Sequence, residues 1–101
     1  MAAEVVYLAS AEADLDEIYD WLSEASDAGR AFAYVERIQT ACESLAHFSD
    51  RGTPRDDLEP RLRGTAFERR ATIYYRVVGR TVEIVRVLHA GRSAAEAFSR
   101  S

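Results

Sequence analysis

Lysine is missing from this 101-residue chain, so all thirteen of its lysine-or-arginine positions are arginine. Cysteine occurs once, at Cys42, and proline twice, at Pro54 and Pro60. A lone cysteine cannot close an internal disulfide, which fits a reducing compartment. No apolar run approaches the roughly 18 residues of a membrane span, and no basic-then-apolar leader opens the chain. The expectation is a cytoplasmic protein. His47 and His89 lie far apart and have no local ligand partners, so no metal is expected. A glycine-rich phosphate loop is absent, as is any Ser-His-Asp or Cys-His arrangement. No cofactor and no catalytic residue are therefore assigned.

The length suits one domain over residues 1–101, and 48% hydrophobic residues is enough for a packed core. A formal charge of −4 hides an asymmetry. Residues 1–50 carry eleven acids against two arginines, and residues 51–101 carry six acids against eleven arginines. Such a molecule has an oriented field, whose basic end is a candidate surface for an acidic peptide or nucleic acid.

Glu4–Leu8 is a β-branched and aromatic run that predicts a first strand. Ser10 is placed to cap a helix in which Leu15, Ile18, Tyr19 and Leu22 form one apolar stripe, ending near Ser26. Its acids, Asp14 among them, read as a solvated face, and Trp21 sits at the edge of the stripe. Asp27 predicts the cap of a second helix over Ala28–Phe48, antiparallel to the first, with a seam of Ala31, Val35, Ile38, Cys42 and Leu45. Phe32, Tyr34 and Phe48 are expected to broaden that seam toward a sheet. Ser49–Gly64 holds both prolines and reads as a loop. Strands are predicted near Thr65–Arg70 and over Thr72–Val78 and Thr81–Leu88, the last two joined by the two-residue Gly79-Arg80 turn. A helical turn over Ser93–Phe98 closes the chain. The order β-α-α-β-β-β with a short C-terminal helix is an α+β fold, a helical hairpin packed on a mainly antiparallel sheet.

Alternation in Thr72–Val78 places Ile73, Tyr75 and Val77 against the helices and leaves Tyr74 and Arg76 on an uncovered face. The last strand has no clean polar face, which calls either for a bulge after Ile84 or for cover on the second face, partly by a partner. Any single arginine reads as solvated or as a cross-strand partner, Arg76 with Glu83 for instance. Taken together, the arginines read as a docking surface. Sequence-specific nucleic-acid binding is not expected, because the chain is acidic overall and has no aromatic-interleaved basic motif. His89 has no sequence neighbour to make it a catalytic base.

Val5–Leu22 (VVYLASAEADLDEIYDWL), Arg37–Leu58 (RIQTACESLAHFSDRGTPRDDL), Leu62–Gly64 and Ile73–Arg92 (IYYRVVGRTVEIVRVLHAGR) together resemble the ParE/RelE superfamily of bacterial toxins, and its ParE branch in particular. The resemblance implies a toxin neutralised by a ParD-like antitoxin whose C-terminal segment wraps it, with DNA gyrase as the target. The RelE branch instead cuts mRNA in the ribosome with basic residues and a C-terminal tyrosine. This chain has no lysine and carries Phe98 where that tyrosine would stand, although Arg92 matches an arginine of that site. The implied reading is a non-enzymatic toxin. The alternatives are a RelE-like endonuclease and a non-toxic member acting only in antitoxin-dependent repression. Trp21, Tyr74, Arg76, Arg86, His89 and Arg92 are the expected partner-binding residues.

Overall fold

A computed structural model describes residues 4–99. Strand β1 (Glu4–Tyr7) leads into helix α1 (Ala9–Ala25) and helix α2 (Ala28–Ser44). Strands β2 (Thr53–Pro54), β3 (Arg63–Phe67), β4 (Ala71–Val78) and β5 (Thr81–His89) follow, and a short helix α3 (Ala94–Ser99) ends the described chain. The five strands form one sheet in the order β1-β5-β4-β3-β2, with β1 parallel to β5 and every other pair antiparallel. This is the α+β arrangement that the sequence predicts, with one addition. The loop after α2 contributes a two-residue strand that pairs with Arg63 and Gly64.

The helical hairpin packs as the apolar spacing requires. Ala11, Leu15 and Ile18 of α1 meet Tyr34, Ile38 and Cys42 of α2 over Ile73, Tyr75, Val82, Ile84 and Val87 of the sheet. Asp27 caps α2 by accepting a hydrogen bond from the Arg30 amide at 2.8 Å. Helix α2 stops at Ser44, four residues short of expectation. Beyond it, Leu45, Ala46 and His47 donate to carbonyls three residues back, which tightens the turn. Phe48 is thereby swung outward, under the Arg51 guanidinium at 5.0 Å. Phe32 follows Ala31 by about 100° of helix rotation and also faces outward. These two rings are 57% and 59% exposed, so only Tyr34 of the expected trio joins the core.

Two turns shape the sheet. Gly79, at φ 61°, occupies the first central position of the β4–β5 connection, where a left-handed backbone favours glycine. Strand β3 ends at Phe67 because Glu68 and Arg69 both take left-handed conformations, at φ 50° and 61°. They form a tight turn closed by the Arg70 amide donating to the Phe67 carbonyl at 3.0 Å. Two non-glycine residues with positive φ are costly, on the order of 1–2 kcal/mol each. Arg37 of α2 holds this turn by donating to both carboxylate oxygens of Glu68 at 2.9 and 3.1 Å. That pairing draws the Glu68 carboxyl below its usual range.

Strand β5 carries a bulge. Tyr74 pairs with Arg86 and Tyr75 with Ile84, so Val85 has no opposite residue. The bulge switches the phase of the strand, placing Ile84 and Val87 on the helix side and Val85 and Leu88 on the other. Ser10 uses the consequence. It lies inside α1 instead of capping it, and its hydroxyl donates to the Val85 carbonyl at 2.7 Å. The α1 N-cap is Leu8, whose side chain makes no cap bond and whose amide pairs with the Ile84 carbonyl at 3.0 Å.

The face opposite the helical hairpin is covered by the chain itself, not open as alternation alone implies. Leu62, Tyr74, Val85 and Leu88 are buried there beneath Leu8, Leu58, Ala94, Ala97 and Phe98. Tyr75 anchors the covering loop from the other side of the sheet. Its hydroxyl donates to the Ser49 carbonyl at 2.7 Å and accepts from the Gly52 amide at 2.8 Å. A Cβ at Gly52 would lie 2.7 Å from that hydroxyl, so the approach needs glycine.

Candidate partner-binding surface

The best-organised polar cluster joins α1 to the C-terminal end of β5. Asp14, Glu17 and Trp21 follow one another along one side of α1 at intervals of three and four residues. Each meets β5 or the segment just after it. Asp14 is only 4% exposed. It accepts from Arg86 Nε at 2.7 Å and Nη2 at 2.8 Å, and from the Val87 amide at 2.9 Å. Strand β1 ends at Tyr7, so this carboxylate takes the β5 donor that a longer β1 would otherwise have met. Arg86 Nη1 also donates to the Ala97 carbonyl at 3.3 Å, which ties α3 to the same hub. The Asp14 hydrogen bonds raise the Arg86 pKa above its ordinary value and keep the guanidinium charged.

The outer two contacts face solvent. Arg92 Nη1 donates to Glu17 Oε2 at 2.8 Å. Trp21 is 52% exposed and stacks on His89, with ring centroids 5.3 Å apart and planes 8° from parallel. The Nδ1 atom of His89 lies 3.1 Å from the Ala90 carbonyl, a contact that needs the proton on Nδ1.

Four of the six expected partner-binding residues, Trp21, Arg86, His89 and Arg92, therefore come together. Arg86 stands apart from the other three as an internal tie. Arg76 lies toward the β4–β5 turn and donates to Glu83 at 3.0 Å, its cross-strand neighbour, and to Glu59 of the covering loop at 3.2 Å. Tyr74 is not on an open face. It is 5% exposed and packs edge-on against Phe98 at 5.2 Å, because the loop and α3 close over it.

Asp14 is the residue that sequence reading passes over. Its signal is its position: it lies between Ala11 and Ile18 on the apolar stripe, where a solvated acid has no place. Cys42 is buried and its thiol is pushed up to about 12, chiefly by desolvation. Such a thiol is inert packing, not a nucleophile. Among the described residues no group of three His, Cys, Asp or Glu side chains could hold a metal ion. No described helix is long and apolar enough to cross a membrane.

Residues 5–94 match the family model described as ParE toxin of type II toxin-antitoxin system, parDE. The chain is 33% identical over 84 residues to Toxin ParE1 of Caulobacter vibrioides, covering 83% of this chain and 85% of that protein. It superposes with a TM-score of 0.75 and 27% identity on a chain of the chromosomal ParDE TA system from P. aeruginosa, covering 88% and 96% of the two. The chain belongs to the ParE toxin family of type II toxin–antitoxin systems.

Proposed function

We propose that this toxin acts by binding and not by catalysis, that its target is DNA gyrase, and that a ParD-like antitoxin neutralises it by covering the Trp21–His89–Arg92 patch. The family match over residues 5–94 is the observation that carries the reading. The side-chain chemistry agrees with it. Each charged group in the cluster is occupied by a structural partner, and Phe98, which has no hydroxyl to move a proton, is packed against Tyr74.

An exposed tryptophan flanked by a stacked imidazole and a fixed guanidinium has the composition of an interface anchor. A segment offering apolar side chains and carboxylates suits it, since Arg92 could exchange Glu17 for a partner acid at little cost. Arg76, with its two acids near the hairpin turn, extends the candidate contact.

A supercoiling assay with purified gyrase tests the target. Loss of supercoiling with cleaved DNA accumulating supports the proposal, and added antitoxin should reverse it. Full supercoiling activity together with mRNA cut in a translating extract would instead favour a ribosome-dependent nuclease.

A further inference from the structure

The turn between β3 and β4 is held by a residue from outside it. Positive φ at both Glu68 and Arg69 is the backbone for which Asn-Gly is the preferred pair. Glutamate and arginine work against that conformation, since each Cβ crowds the backbone in the left-handed region. Arg37 of α2 supplies the hold. Its bonds to the Glu68 carboxylate, at 2.9 and 3.1 Å, form the only ion pair on this turn among the described residues.

The other end of the turn reaches the patch. Ala71, the first residue after it, pairs with His89 across the β4–β5 ladder. The Arg70 carbonyl accepts from the Ala90 amide at 2.6 Å, the shortest of the loop and turn bonds. The segment that follows is built on this anchor. Gly91 reverses the chain at φ 97°, and the Arg92 amide donates to the His89 carbonyl at 3.1 Å. His89 then presents its ring to Trp21, and Arg92 its guanidinium to Glu17. Arg37 itself makes no hydrogen bond, ion pair or ring contact with these four among the described residues. A run of directed bonds nevertheless leads from it, through Glu68 and the turn backbone, to His89 and Arg92.

Coupling of this kind needs an element with two arrangements. Here one is the left-handed turn that aims the Arg70 carbonyl at the Ala90 amide. The other is the relaxed turn that Glu68 and Arg69 would take once released. We propose that Arg37 is a positioning residue for the partner-binding patch: by holding the β3–β4 turn left-handed, it fixes Ala90 and so sets the stack of His89 on Trp21 and the reach of Arg92. The positioning is a property of the free toxin, whereas its effect on the antitoxin rests on the reading of the patch given above.

Acrylamide quenching of Trp21, the only tryptophan in the chain, measures the stack in the free toxin. His89→Ala supplies the unstacked rate. Arg37→Ala should move quenching most of the way to that rate and weaken antitoxin binding about fivefold. Arg37→Ala/Glu68→Asn/Arg69→Gly should return both readouts to the parent values, because Asn-Gly keeps the turn left-handed without the ion pair. A change of turn sequence could not rescue the mere loss of packing or charge at Arg37. Glu68→Asn/Arg69→Gly alone, which also lacks the pair, should match the parent. Parent-like quenching in Arg37→Ala, or a triple variant quenched as readily as Arg37→Ala, overturns the proposal. Quenching that shifts and is restored while antitoxin affinity never changes supports the positioning and overturns the patch as the antitoxin site.

Discussion

The two faces of the sheet are built on different principles. On the helix side, twelve buried residues from α1, α2, the turn after α2, β4 and β5 form one continuous apolar cluster. On the other side only Leu62, Tyr74, Val85 and Leu88 are buried, under a loop and a six-residue helix. The first face is held by apolar area. The second relies on directed bonds: Arg86 to Asp14 and to the Ala97 carbonyl, Arg76 to Glu59, and Tyr75 to both ends of the Ser49–Gly52 turn. Elements held by few apolar contacts open at lower free energy than a packed core. The charged side chains proposed for partner binding thus sit where the molecule can yield without unfolding.

Asp14→Ala should break this division most severely. It leaves Arg86 without its counter-charge and the buried Val87 amide unpaired, at a cost of about 3–5 kcal/mol. Urea unfolding followed by circular dichroism measures it, and a loss under about 1 kcal/mol would mean that the hub is dispensable. Charge reversal at Arg86 should be equally damaging, which makes it a poor probe of partner binding. Core truncations sharpen the contrast. Ile38→Ala, on the helix side, should cost about 3–4 kcal/mol, whereas Leu62→Ala should lie near 2 because the loop above it can settle into the gap. Equal losses would argue that both faces are packed alike.

Smaller effects come from the loop anchor and from the thiol. Tyr75→Phe strands the Gly52 amide and should cost about 1–2 kcal/mol. Proteolysis within residues 49–62 should rise with it, and an unchanged cleavage rate would separate the anchor from loop order. Cys42 keeps its proton in the folded state up to about 12, whereas the unfolded thiol ionises near its ordinary value. The unfolded state therefore binds fewer protons between those limits, and stability should fall as pH rises through that window. Thiol labelling at pH 8 should be slow in the native protein and fast in urea. Rapid native labelling would place Cys42 outside the core.

What could be read from the sequence follows the same division. Period-3.6 spacing in α1 and α2, the Asp27 cap and the Gly79-Arg80 turn all reflect local rules, and they fix the helix-side face. The second face depends on long-range pairings that no local pattern encodes. Ser10 looks like a cap because its type and position allow one, yet a bulge 75 residues away claims its hydroxyl. Tyr74 looks exposed because strand alternation cannot see that residues 58–62 and 94–98 fold over it. Of the candidate surface, Trp21, His89 and Arg92 were legible as residues but not as one patch. Asp14 is easily passed over in a segment that also holds Glu12, Asp16 and Glu17, although its place on the apolar stripe marks it.

Calorimetric titration of the cognate antitoxin into the Trp21→Ala/His89→Ala/Arg92→Ala variant addresses the functional claim most directly. These side chains are exposed or half-exposed, so the variant should unfold within about 1 kcal/mol of the parent. Antitoxin affinity should fall by about a hundredfold or more, as expected for loss of an aromatic anchor and its charged neighbour. An unchanged dissociation constant in a folded variant would show that the antitoxin binds elsewhere.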